Sequence, residues 1–359
     1  MSDKHHEEST EEVREITLLE AGHYMELGHI EKDEGNFGKS EPFFQTALDI
    51  FEEQQDWKGM GRALGNLGLV YRSRGEEERA IDSFRRSIEL HKTIGNKQGV
   101  GKQLGNLGNI RHAQGRYEES IECYAEAIAI FEQIGDQIAV GINLGSLGNA
   151  HRAKGDWGSA IDLYERAIDI HRETGHRSSE GNMLGSLAAV CMAQGEPERA
   201  IKLYTQAIDI HQEIGNRSNR GIHLGNMGDA FLELHRFEEA ETALRRAIEI
   251  GDETIRAAAG AFRGSLALLL AQRGAFEEAR ALLEIGDAQV VCEAGEHAKF
   301  LCKKGRIYLL AGDPSAAHTA LNEAEALALA GEMDRSETSD IGRALKELAE
   351  ALGDSTHTT

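Results

Sequence analysis

The chain is short of several things, and each shortage narrows what it can be. No run of about 18 apolar residues occurs, so no membrane-spanning helix is expected. Residues 1–12 hold no hydrophobic signal core, which makes the cytoplasm the expected location. Four cysteines (Cys123, Cys191, Cys292 and Cys302) form no CxxC pair and fall within helical patterns. They read as reduced thiols in or near a core, not as a disulfide frame or zinc cluster. Basic residues are outnumbered, 39 Lys and Arg against 61 Asp and Glu, and the net charge of −22 opposes broad binding to nucleic acid or anionic membrane. Aromatics make up only 6% of the 359 residues.

Glycine, by contrast, is plentiful at 40 residues, and it is periodic. The stretch Leu104-Gly105-Asn106-Leu107-Gly108-Asn109 returns in edited form at 64–69, 144–149, 184–189 and 224–229, a period of forty. Superposing the copies gives columns. Gly28, Gly68, Gly108, Gly148, Ala188 and Gly228 share one, continued by Ala267 and Gly305. Ser40, Ala80, Ser120, Ala160, Ala200, Ala240, Ala279 and Ala317 form a second small column. Phe44, Phe84, Tyr124, Tyr164, Tyr204 and Leu244 lead a large apolar column, and Ala47, Ser87, Ala127, Ala167, Ala207 and Ala247 a further small one.

Within a unit the apolar spacing is helical: Ile161, Tyr164, Ile168 and His171 lie on one helix face, as do Leu144, Leu147 and His151. Each unit therefore reads as two helices of about four turns. Gly75, Gly115, Gly155, Gly195, Gly274 and Gly312 separate them at the left-handed position that ends a helix. Gly95, Gly135, Gly175 and Gly215 end the second helix, followed by Asn96, Asp136, His176 and Asn216 as N-caps of the next. Joints this short force antiparallel neighbours, with small columns where backbones cross and the aromatic column between them.

This pattern resembles the tetratricopeptide repeat, whose small, small, aromatic, small spacing is matched by Gly148, Ala160, Tyr164 and Ala167. The resemblance covers roughly residues 16 to 330 as eight units. The usual unit has about 34 residues. The forty-residue form, with Leu-Gly-Asn-Leu-Gly and Ile-Gly-Asp, is similar to the Pins/LGN-type adaptors and to a group of bacterial repeats, although the family's proline after the second helix is absent. The resemblance implies an all-α, right-handed superhelical solenoid of about eight antiparallel helix-turn-helix repeats with a C-terminal capping helix. The expected organisation is a disordered acidic lead at 1–13, the solenoid at 14–335 with repeats 2 to 6 most regular, a capping helix at 336–352 and a frayed tail at 353–359.

Three catalytic or metal-like patterns dissolve on inspection. Gly35 to Ser40 ends like a phosphate-binding loop, but Asp33 stands between Lys32 and Glu34 where that motif needs glycine, and no strand precedes it. Gly59–Gly61 and Gly99–Gly101 approach a dinucleotide fingerprint, again without a strand. His91, His171 and His211 share a column, but equivalent side chains on stacked helices stand about 8–10 Å apart, too far to share a metal at about 2 Å. Neither metal nor cofactor nor catalysis is expected.

By the same resemblance, the first helix of each unit lines an inner wall, and its second, fifth, sixth, ninth and twelfth positions face a bound partner. The fifth is glycine (Gly65, Gly105, Gly145, Gly185, Gly225, with Gly264 later), at about 1 kcal/mol each against alanine inside a helix. Tight packing of the next repeat and room for a ligand backbone both account for this, and the two can hold together. The fifth-position lysine with which chaperone-binding members clamp a C-terminal carboxylate is missing. Asn66, Asn106 and Asn226 at the sixth position could brace helices or meet a partner, whereas Asn109 and Asn149 at the ninth suit a ligand's peptide groups. Arg62, Arg72, Lys102 and Arg152 form a basic stripe in an acidic protein; Met192, Ile222 and Leu232 are apolar further along. The expected function is a non-enzymatic scaffold or adaptor that binds an extended peptide or disordered segment with acidic and hydrophobic residues. The alternatives are a self-associating structural scaffold and a regulatory sensor of a small signalling peptide.

Overall fold

A computed structural model describes residues 2–331, 333, 335 and 339–353, and among them it contains 17 helices and no strand. The chain divides into two compact units, Met1–His151 and Arg152–Thr359. Unit 1 holds α1 (Ser2–Asp33), α2 (Phe37–Glu53), α3 (Trp57–Ser73), α4 (Glu77–Thr93), α5 (Lys97–Ala113), α6 (Tyr117–Ile134) and most of α7 (Gln137–Ala153). Unit 2 holds the end of α7, then α8 (Trp157–Glu173), α9 (Arg177–Ala193), α10 (Pro197–Glu213), α11 (Arg217–Glu233) and α12 (Phe237–Thr254). It continues with α13 (Arg256–Gln272), α14 (Phe276–Val290), α15 (Ala294–Leu310), α16 (Pro314–Ala330) and α17 (Asp340–Leu352).

The helix boundaries follow from local chemistry. Asn96, Asp156 and Asn216 each accept a hydrogen bond from the backbone N–H three residues on, at 3.1, 3.2 and 3.1 Å, satisfying a donor the helix leaves orphaned. His176 occupies the same place differently: its Nδ1 meets the Ser179 hydroxyl at 2.8 Å. Left-handed glycines end the helices wherever the column supplies them. At two joints without glycine, Gln55 (φ 52) and His235 (φ 55) take the left-handed conformation. A side chain makes that conformation less favourable by about 1–2 kcal/mol; the His235 ring gains an edge-on contact with Phe237, 5.7 Å between centroids.

In each unit the helices pack as hairpins, α3 on α4 and α5 on α6 in unit 1, α9 on α10 through α15 on α16 in unit 2. First helices also touch the next first helix: α3 with α5, and α9, α11, α13 and α15 in succession. They therefore form one layer in each unit. The eighth-position glycines seat the apolar column of their own repeat: a Cβ on Gly68 would stand 2.5 Å from the Phe84 ring, and one on Gly108 2.7 Å from Tyr124. The fifth-position glycines admit the next first helix. A Cβ on Gly65 would meet Gln103 at 2.4 Å, on Gly185 His223 at 2.1 Å, and on Gly225 Phe262 at 2.2 Å. Close packing of the following repeat is therefore present at these glycines.

Helix α1 begins at Ser2, so it takes in the lead expected to be disordered. Its run of Glu, Lys and Arg favours helix, and the Arg14 guanidinium donates to the Gln54 carbonyl at 3.0 Å. The capping helix is observed over Asp340–Leu352, with the Ser339 hydroxyl accepting from the Gly342 N–H at 2.9 Å. Its Leu345, Leu348 and Ala349 are buried with Leu301, Cys302 and Leu321. Residues 336–338, and the tail beyond Gly353, lie outside the described residues. Among those described, no helix is long and apolar enough to cross a membrane.

Candidate functional site

In unit 1 the expected inner-wall residues lie on α3, α5 and α7. Arg62, Arg72, Lys102 and Asn109 are exposed. The fields of Arg62 and Lys102 converge near His29, whose imidazole is pushed below its usual value first by burial, then by Lys32, and further by these two cations. The sixth-position amides are used locally: Asn66 Nδ2 donates to the Arg62 carbonyl at 3.0 Å and Asn106 Nδ2 to Gln103 Oε1 at 2.9 Å. Asn109 Oδ1 accepts from the Tyr124 hydroxyl at 2.8 Å, which leaves its NH2 group directed elsewhere. Burial raises the Tyr124 phenol well above its ordinary value, so it stays a donor. Asn149 is half-buried and already engaged.

Unit 2 brings three of the expected residues together. Met192, Ile222 and Asn226 line a cavity of about 730 Å³ built from α9, α11, α13, α15 and α17. Ile222, Asn226, Asp229 and Glu233 follow one face of α11 into it, at spacings that place them on a single stripe. Ala258, Ala261 and Phe262 from α13 supply an apolar wall opposite. Lys299, Lys303 and Arg306 enter from α15, and Arg343 and Glu347 from α17. Two expected residues stand apart from this cavity. Leu232 packs against the core cluster around Phe231 and Leu244, and Arg152 is half-buried and hydrogen-bonded to Tyr164.

Most charges of the cavity are matched. Lys299 pairs with Glu296 at 2.5 Å and Arg306 with Glu347 at 3.1 Å. Lys303 donates to the Ser265 hydroxyl at 2.6 Å and stands 3.8 Å from Asp229. Arg343 donates to the Ala193 carbonyl at 3.2 Å. Asn226 and Glu233 have neither a hydrogen bond nor an ion pair among the described residues. The Glu233 carboxyl is held above its usual range, first by loss of water and then by Asp229 and Glu347, with Arg343 opposing. Cys302 also lines the cavity, and burial pushes its thiol up to about 12, so it is protonated and not nucleophilic at neutral pH.

Glu233, Lys303, Arg343 and Glu347 escaped the sequence reading. Glu233 lies one residue past the counted positions, although the spacing 222, 226, 229, 233 carries it. Arg343 and Glu347 belong to α17, which has no repeat column to place it. Among the described residues no group of three or more His, Cys, Asp or Glu could hold a metal. His91 and His211 are buried instead against glycines, a Cβ on Gly99 standing 2.5 Å from His91 and one on Gly181 2.7 Å from His211.

Comparison with known proteins settles the repeat. A tetratricopeptide-repeat family model matches residues 19–93, 103–173 and 179–253, and a second model of the same description matches 226–288, together more than half of the chain. The chain is a tetratricopeptide-repeat protein. No curated protein matches its sequence. Among solved structures, this tetratricopeptide array is similar to a Rap protein complexed with competence and sporulation factor. That match has TM-score 0.62 and 14% identity, covering 95% of this chain and 94% of that one. Aspartyl phosphate phosphatase F from Bacillus subtilis matches at TM-score 0.63 and 13% identity, over 79% of this chain and 75% of the other. The apo form of RapI matches at TM-score 0.61 and 12% identity, over 75% and 97%. At these identities the likeness is one of fold, a helical-repeat solenoid.

Proposed function

We propose that this tetratricopeptide-repeat protein is a non-enzymatic, cytoplasmic interaction scaffold that seats an extended peptide or disordered partner segment on the layer of its first helices. The observation that carries the reading is Asn226, whose amide has no hydrogen-bond partner among the described residues and lines a cavity of about 730 Å³ beside Ile222 and Met192. An amide that donates and accepts matches a peptide group, and the apolar neighbours suit a side-chain anchor. The cavity falls within the ~300–1,000 Å³ typical of ligand sites. In unit 1 the exposed Arg62, Arg72 and Lys102 offer pairing for partner acids, with the Asn109 NH2 as a donor to its backbone. Arg152 and Asn149 are already engaged and play a lesser part. This use of asparagine and arginine follows the style of the Pins/LGN-type adaptors.

Peptide-display selection on the full chain tests the reading, with an Ile222→Ser/Asn226→Ala variant as counter-screen. Enriched sequences that the variant fails to retain support it. Sequences that both proteins hold equally, or no enrichment at all, sink it.

A second reading, self-association, draws on α1. Its Val13, Ile16, Leu19, Leu27 and Ile30 are exposed by 43 to 67%, an apolar stripe of the kind that marks contact surfaces. Light scattering across a concentration series decides it: mass that grows with concentration, and stops growing in Ile16→Lys, supports assembly; constant mass removes it.

A further inference from the structure

The α9–α17 cavity has an asymmetry of charge that says what its occupant carries; this rests on the peptide reading above. Each of the four cations on the wall has a hydrogen-bond or ion-pair partner: Lys299 with Glu296, Arg306 with Glu347, Lys303 with the Ser265 hydroxyl near Asp229, and Arg343 with the Ala193 carbonyl. Glu233 has none among the described residues. It lies one turn beyond Asp229 on the same face of α11, so the carboxylate left over is placed beside a second one. An anionic group brought into this end of the cavity meets Asp229, Glu233 and Glu347, three carboxylates against the field of Arg343. A cationic group meets a carboxylate with no ion-pair partner among the described residues, exposed at the end of α11 and so open to an incoming ligand. The wall one and two turns earlier on α11, Asn226 and Ile222, supplies an amide and an apolar face, and Met192 extends that face from α9.

We infer that the segment seated in this cavity is a peptide bearing a basic group, which pairs with Glu233, next to an apolar side chain that packs on Ile222 and Met192. The basic group is either a Lys or Arg side chain or a free N-terminal ammonium. This reverses, for unit 2, the acidic preference expected from the basic stripe of unit 1. Capping helix α17 is then part of the binding site: Glu347 adds to the field at Glu233, and Arg343 fixes the wall at Ala193.

The test uses the full chain and fluorescein-labelled octapeptide pools, each with random Ala, Leu, Ile and Met around one central variable residue. Three pools are N-acetylated, with Lys, Gln or Glu at the centre; a fourth has Gln at the centre and a free N-terminus. Anisotropy should show the Lys pool, the free-amine pool or both binding about fivefold tighter than the acetylated Gln pool, the upper size of one exposed charge pair. The Glu pool should bind weakest. Which of the two cationic pools gains identifies the source of the charge. In Glu233→Gln the advantage should shrink to about twofold or less, with an unchanged melting temperature, and in Glu233→Lys the preference should turn toward the Glu pool. Equal binding of all pools, or a Lys or ammonium preference that survives Glu233→Gln, overturns the inference and leaves the peptide seat standing. Absence of binding by every pool removes the peptide seat itself.

Discussion

Arg343 on α17 donates a hydrogen bond to the backbone carbonyl of Ala193, the last residue of α9, at 3.2 Å and across 150 residues of sequence. The acceptor is one of the carbonyls a helix leaves unsatisfied at its C-terminal end. The capping helix thus closes the last apolar face with Leu345 and Leu348 and also reaches back to the first helix of the cavity.

Arg343→Ala should remove that bond while leaving the apolar docking of α17 in place. The expected loss is about 1 kcal/mol, the size of a half-exposed charge-assisted hydrogen bond. Hydrogen exchange in Asp340–Leu352 should quicken while exchange in α11 and α12 holds. Unchanged exchange in α17 would show that the contact carries nothing.

The fifth-position glycines predict a contrast in sign. Gly225→Ala brings a Cβ to 2.2 Å from the Phe262 ring and should destabilise by about 1–3 kcal/mol, although alanine is the better helix former. Gly22→Ala, in α1 with nothing within 4 Å, should instead stabilise by up to about 1 kcal/mol. Urea melts of the two variants check this; a stabilised Gly225→Ala would mean the next repeat is not packed against that backbone.

These glycines also show what the sequence could and could not carry. The period, the two helices and the left-handed glycine joints were legible because each repeat restates them. The purpose of Gly65 or Gly225 was legible only as two readings, close packing or room for a ligand, because the atom it accommodates, on Gln103 or Phe262, belongs to the next repeat and no pattern within one unit names it. The cavity was half legible: Met192, Ile222 and Asn226 came from column position, and Glu233 lies on the same stripe. Arg343 and Glu347 were invisible, since α17 stands outside the period. Leu232 looked like its neighbours in the column, yet it packs into the core beside Phe231.

Acid should weaken unit 2 through its histidines. His223 is buried, its ring stacked on His211 at 5.2 Å between centroids, and neither ring has a hydrogen-bond partner among the described residues. Burial first, then His211, lower His223 to about 4, against an ordinary value of 6.5. Between those values the unfolded chain binds more protons than the folded one. Stability is therefore full above about pH 6.5 and falls as pH drops toward 4, by about 3 kcal/mol from this residue. Melts from pH 7.5 to 4.5 should show the decline, and His223→Gln should flatten it. A pH-independent wild type would contradict the buried neutral state.

The central claim is that an extended peptide seats at Met192, Ile222 and Asn226, and methionine-methyl NMR tests it most directly. The full chain, labelled at methionine methyls and titrated with a display-selected peptide, should show the Met192 resonance (assigned through Met192→Leu) moving in step with binding. Met60, packed against the core of unit 1, should stay in place. A peptide that binds while the Met192 methyl does not shift would contradict the account.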